Sequence, residues 1–178
     1  KALEIRKEIN ERQSIMYSLV DLSSVLMISE FKFDTALVLL NDALALAKET
    51  GSNNYEAYCY HNIGNAYFYR AKTNLAEENF RAALTLYEKT GDISNRCYML
   101  LNLGSNEMQR GNFKGSMDYY NQSLQLAKTN NLGAQIANTY NYMAEFYYYM
   151  GEFQMAFNVI DSSYLLFKAS DNPYGLAN

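Results

Sequence analysis

Apolar residues recur along this chain at spacings of three and four. Ala36, Leu37, Leu40, Ala43, Leu44 and Ala47 trace one stripe, and Ala76, Phe80, Ala83, Leu84 and Tyr87 trace its counterpart further on. That spacing puts side chains on one face of an α-helix. Residues that stop helices separate the stripes: Gly51, Gly91, Asn130–Asn131 and Asp171–Asn172 at one kind of boundary, Gly111 and Gly151 at the other. Glycine just past a helix end suits a left-handed cap. The pattern predicts helices A at about 13–29, 53–69, 93–109 and 133–149, and helices B at about 33–48, 73–89, 113–129 and 153–169.

Laid over itself with a shift of 40, the sequence repeats. Ser24, Gly64, Gly104 and Ala144 share a column, as do Ala36, Ala76, Ser116 and Ala156, and Ala43, Ala83, Ser123 and Ser163. These three columns are small throughout. Between the last two lies a column of large residues, Leu40, Phe80, Tyr120 and Ile160. A small residue within a helix lets a neighbouring helix approach, and a large one fills the space beside it. The expected boundaries are 1–10 for the tail of a preceding helix B, then repeats at 11–51, 52–91, 92–131 and 132–171, with 172–178 opening a fifth. Lys1–Ile5 reads like Ala82–Leu86 of a helix B, and Pro173 stands where a further helix A would begin. The expected class is all-α, an α-α superhelix of antiparallel helix pairs, and the chain reads as the middle of a longer array.

Composition narrows the function. Hydrophobic residues make up 49% of the 178, with 17 Tyr and 9 Phe, so a core can form. The net charge of -4, with no run of Lys and Arg, argues against direct nucleic-acid binding. No apolar stretch is long enough to predict membrane insertion. No feature sets the compartment, with a cytoplasmic setting favoured over a periplasmic one.

The columns resemble the tetratricopeptide repeat. On helix A the family has a large residue, an apolar–small pair and an aromatic, matched by Tyr60, Ile63–Gly64 and Tyr67, and by Tyr140, Met143–Ala144 and Tyr147. The third repeat supplies Leu100 and Leu103–Gly104, and the first the weaker set Val20, Ser23–Ser24 and Met27. Helix B follows with its small–large–small columns. The period of 40 departs from the family's usual ~34, and the family's tryptophan and closing proline are missing. Longer repeats of this kind occur in kinesin light chains and bacterial quorum-sensing peptide receptors, which Asn62–Asn65 and Asn102–Ser105 resemble. The resemblance implies a concave surface lined by helices A that binds a protein or peptide.

Catalytic chemistry finds little purchase. His61 is the single histidine, and Cys59 lies two residues away, a spacing that does not face it on a helix. Cys59 and Cys97 sit among apolar residues and are expected to be buried, reduced and free of metal. Zinc needs about four ligands, more than one His and two scattered Cys supply. Gly64 and Gly104 lie within helices rather than in a phosphate loop. The expectation is a chain that is not an enzyme and carries no cofactor or metal.

Function is instead expected on the helix A face that avoids the packing columns. Its candidates are Tyr58, His61, Asn65, Phe68 and Tyr69, then Tyr98, Leu101, Ser105, Met108 and Gln109, then Asn138, Asn141, Glu145, Tyr148 and Tyr149. The first repeat adds Ser18, Asp21, Val25, Ile28 and Ser29. Amides both donate to and accept from a peptide backbone, and tyrosine supplies area at low entropic cost. The resemblance also implies positions where relatives clamp a carboxylate, here Asp21, His61, Asn65, Leu101, Ser105, Asn141 and Glu145. None is Lys or Arg, so anchoring of an acidic tail is not expected. A protein- or peptide-binding module is the leading reading. The alternative is a ligand-sensing segment of a bacterial signalling protein, such as a transcriptional regulator or sensor histidine kinase. Severed repeats leave apolar end faces, so end-to-end self-association is a further expectation.

Overall fold

The computed structural model describes residues 2–169. Eight helices follow one another: α1 Ala2–Ser29, α2 Phe33–Thr50, α3 Asn53–Tyr69, α4 Thr73–Thr90, α5 Ile93–Gln109, α6 Phe113–Thr129, α7 Gly133–Tyr149 and α8 Phe153–Ala169. The described residues contain no strand. They form two compact units, one ending at Gly91 and the other starting at Asp92. In the first, α1 packs on α2, α2 on α3 and α3 on α4. In the second, α5 packs on α6, α6 on α7 and α7 on α8, and α5 also meets α7.

From α2 onwards the helix boundaries follow the hydrophobic pattern closely. The first helix does not: a turn was expected near residue 11, yet α1 runs unbroken from Ala2. The segment Glu4–Gln13 holds no Gly or Pro, and most of its residues are good helix formers, so nothing stops the helix there. The expected fifth repeat, Asp171–Asn172 and Pro173 lie outside the described residues.

Each turn is built on one left-handed residue. Glycine supplies it at Gly51, Gly91, Gly111 and Gly151, with φ between 66° and 79°. Phe31, Ala71 and Asn131 adopt the same conformation at φ 52–55°. Asn tolerates this region, whereas Phe and Ala adopt it at a cost.

The column pattern acquires a steric explanation. A Cβ placed on Gly64 would lie 2.5 Å from the Phe80 ring, and one on Gly104 would lie 2.7 Å from Tyr120 Cδ1. Both glycines are buried, and each leaves room for the large residue sixteen positions on. Where that residue is aliphatic, as at Leu40 and Ile160, the small position widens to Ser24 and Ala144. The serines of the last small column are satisfied as well as small. Ser123 Oγ donates to Cys97 O at 3.3 Å and lies 3.0 Å from Thr139 Oγ1, and Ser163 Oγ donates to Ala137 O at 3.0 Å. Bonding the hydroxyl to a neighbouring backbone offsets most of the cost of burying it.

Candidate functional site

In the first unit the helix A candidates fall on accessible faces of α1 and α3. Tyr58, His61, Asn65 and Phe68 are half-buried, while Tyr69, Ser18, Asp21, Val25, Ile28 and Ser29 are exposed. Burial, followed by the nearby Asp21 charge, raises the Tyr58 hydroxyl above its ordinary pKa. The His61 ring lies 6.4 Å from that of Phe80, and desolvation pushes its pKa down to about 4. His61 is therefore a neutral imidazole at pH 7.

Tyr17 escaped the sequence reading. Its ring meets Tyr55 edge-on at 5.2 Å and lies 6.0 Å from Tyr58, and burial followed by the Tyr55 contact lifts its pKa to about 12. A signal was present: Tyr17 stands in the column of Ala57, Cys97 and Ala137, where a large aromatic is out of place.

In the second unit, Asn138 Nδ2 donates to the Tyr98 hydroxyl at 2.7 Å, tying two successive helices A at equivalent positions. Ser105 Oγ lies 3.1 Å from the Tyr120 hydroxyl, so its hydroxyl is already engaged within the repeat. Leu101 was expected on the accessible strip and is not there. It is 1% exposed, in a cluster with Tyr120, Met143 and Phe146, because its column faces the joint between α5 and α7. Met108 packs partly against the same cluster. Gln109 and Tyr149 are exposed.

Asn141, Glu145 and Tyr148 line an open cleft of about 420 Å³. Its other walls are Ala144 and the α8 residues Phe153, Ala156, Phe157 and Ile160. The helix A strip alone does not define this cleft: α8 supplies half of its lining residues. The rings of Tyr148 and Phe153 stand 5.7 Å apart at its rim.

The asparagine amides differ in how far they are committed. Asn41, Asn62, Asn79 and Asn130 each turn Nδ2 back to the carbonyl four residues earlier, at 2.7–2.8 Å. Asn65 and Asn141 make no such bond and have no hydrogen-bond partner among the described residues.

Cys59 and Cys97 are free and buried. Burial pushes the Cys59 thiol up to about 12, and also raises Cys97, so both are held as thiols. Among the described residues no three of His, Cys, Asp and Glu cluster as metal ligands, and no helix is long and apolar enough to cross a membrane.

The tetratricopeptide repeat profile matches residues 14–89. Comparison with curated proteins by sequence gives no match. Solved structures share the fold. The chain is similar to a putative kinesin light chain with TPR-like repeats from Podosopora anserina, at TM-score 0.66 and 15% identity, covering 88% of this chain and 76% of that one. Aspartyl phosphate phosphatase F from Bacillus subtilis gives TM-score 0.77 at 12% identity over 94% of this chain. A signal transduction ATPase with a tetratricopeptide repeat sensor from Pyrococcus horikoshii gives 0.71 at 18% over 90%. The chain spans only 43% and 25% of those last two proteins.

Proposed function

We propose that this chain, which belongs to the tetratricopeptide repeat family by its match over residues 14–89 and has that fold through its described residues, binds a protein or peptide through its helix A faces. The observation that carries the reading is the pair of uncommitted amides, Asn65 and Asn141, on faces also bearing Tyr58, Phe68 and Tyr148. An amide that is not bonded to its own helix can pair with both the donor and the acceptor of a peptide backbone. Glu145 offers a carboxylate to a basic side chain, and no Lys or Arg stands where an acidic terminus would be clamped. The family is in general an interaction scaffold, and the groups present suit that role. A histidine with its pKa near 4 and thiols held protonated are poor acid–base or nucleophilic groups near neutral pH.

The test begins with a random-peptide display library panned on the chain. Fluorescence anisotropy then compares the selected peptides on the wild type and on the Asn65→Ala, Asn141→Ala double variant. Losing hydrogen bonds worth ~0.5–1.5 kcal/mol each, with partner groups left unpaired, predicts binding weakened by more than about tenfold at unchanged helicity. Unaltered affinity in that variant, with binding abolished by Gln122→Ala on the exposed side of α6, refutes the helix A surface.

A second reading rests on the neighbours from Bacillus subtilis and Pyrococcus horikoshii, in which a fold like this one is part of a longer protein. Here the chain is a ligand-sensing segment of a bacterial signalling protein, an inference by fold analogy. Sequencing the gene on both sides of this segment decides it: a DNA-binding or kinase domain in the same polypeptide supports the reading, and an array without one removes it.

A further inference from the structure

Three tyrosine rings meet at the joint between α1 and α3. Tyr55 and Tyr58 on α3 pack partly against the core of the first unit. Tyr17 reaches both from α1, at 5.2 Å and 6.0 Å between ring centres. It is inclined 85° to one ring and 57° to the other, so it lies flat on neither. The fold does not call for this cluster. At the equivalent joint of the second unit the same positions hold Cys97, Gln135 and Asn138, and α5 meets α7 there without a ring at any of them.

A carboxylate completes the group. Asp21 stands one turn along α1 from Tyr17, on the same face. After burial, its charge is the next cause of the raised pKa of the Tyr58 hydroxyl, which places it beside the rings. Its counterpart at the second joint is Leu101. No Lys or Arg lies within a turn of Asp21 on α1, and the nearest arginine along that helix, Arg12, is paired with Glu49 at 3.0 Å. Asp21 has no cationic partner among the described residues.

We propose that Tyr17, Tyr55, Tyr58 and Asp21 hold a cationic side chain, arginine or lysine, of the bound peptide. The proposal rests on the reading of helix A as the peptide-binding surface and names one group that the peptide carries. The faces of aromatic rings are negative and attract a guanidinium or ammonium within about 6 Å of the ring centre. Asp21 supplies the counter-charge. Two of the rings are already seated on the core, so little side-chain freedom is lost on binding. An apolar side chain here would leave Asp21 uncompensated, and an anionic one would be repelled by it.

The probe is N-acetylarginine methylamide, added to the 178-residue chain up to about 50 mM at fixed ionic strength and followed by NMR of the tyrosine rings. Its neutral isostere, N-acetylcitrulline methylamide, is the control. Arginine is expected to move the signals of Tyr17, Tyr55 and Tyr58 with saturation in the millimolar range, and citrulline to leave them in place. Asp21→Asn should weaken arginine binding by about two- to fivefold, the size of an exposed ion pair. Tyr17→Ala should abolish the response at Tyr55 and Tyr58. It keeps the fold, since alanine is what this column holds at Ala57 and Ala137. Equal responses to the two probes, no response to either, or an undiminished response in Asp21→Asn overturns the proposal. The wider surface fails separately. Rings that respond to arginine, with peptide affinity unaltered in the Asn65→Ala, Asn141→Ala variant, support the cation site and remove the amide surface. Peptides that bind through those amides while the rings ignore arginine do the reverse.

Discussion

Gly104→Ala isolates the contact on which the small–large column pair depends. The new methyl would lie 2.7 Å from Tyr120 Cδ1, nearer still to Cε1, and 3.1 Å from the Ser116 carbonyl oxygen. Tyr120 has little freedom to yield. It is 1% exposed, its ring is flanked by Tyr142 at 5.9 Å and Phe146 at 6.4 Å, and its hydroxyl is held by Ser105. Overpacking of this kind costs ~1–3 kcal/mol. Alanine in place of glycine inside a helix recovers up to ~1 kcal/mol. The steric term wins, and a net loss of ~1 kcal/mol is expected in equilibrium urea unfolding. The sharper measurement is a double-mutant cycle with Tyr120→Leu. The fourth repeat pairs Ala144 with Ile160, so alanine beside an aliphatic residue is a combination this chain already uses. Tyr120→Leu alone should cost ~2–4 kcal/mol through its cavity, and less by ~1–2 kcal/mol when Gly104→Ala adds a methyl that fills part of that space. Gly133→Ala, which meets nothing within 4 Å, is the control and should cost nothing. Additive single effects in the cycle, or a Gly104→Ala protein as stable as the control, would refute the steric account.

The features legible in the sequence were those with local causes. Helix–turn alternation follows from the apolar spacing and from Gly or Asn at the stops. The small columns follow from close helix approach. What the sequence concealed depended on neighbours. Nothing in Phe31 or Ala71 announces a left-handed turn, because the backbone bonds that close the helix ends, Lys32 N–H to Leu26 O and Lys72 N–H to Tyr67 O, hold a conformation those residues do not prefer. The unbroken α1 was missed because the repeat register calls for a turn where the residues themselves favour helix. Leu101 shows the limit most clearly. It shares a column with His61 and Asn141 and so looked accessible, but α7 covers it. Asn141 is only half-buried in the same column, with no further helix A beyond it among the described residues. The same column is therefore buried at Leu101 and half-buried at His61 and Asn141. The cleft likewise draws on α8, a helix B, for half of its lining residues, whereas the expected site lay on helices A.

Two further predictions concern stability. Ala71 holds φ 55° with its side chain exposed, and its N–H donates to the Phe68 carbonyl at 2.9 Å, a bond glycine keeps. Ala71→Gly should relieve ~1 kcal/mol of strain, less a few tenths for the freer unfolded chain, and raise the urea midpoint; a lowered midpoint contradicts the strain. His61 should make stability fall with acidity. Its pKa is lowered from 6.5 to about 4 in the folded protein, so between these values the unfolded chain binds the extra proton and gains from it. The contribution is whole above pH 6.5, declines as the pH falls, and is exhausted near pH 4. By pH 5, above most carboxylate titration, the loss relative to pH 7.5 should reach ~1–2 kcal/mol. His61→Gln keeps a polar side chain of similar size without a titrating group, and its urea midpoint should be nearly flat over that range. Equal slopes in the two proteins would show that the imidazole is as well solvated folded as unfolded, and that burial on the α3 face does not hold it neutral.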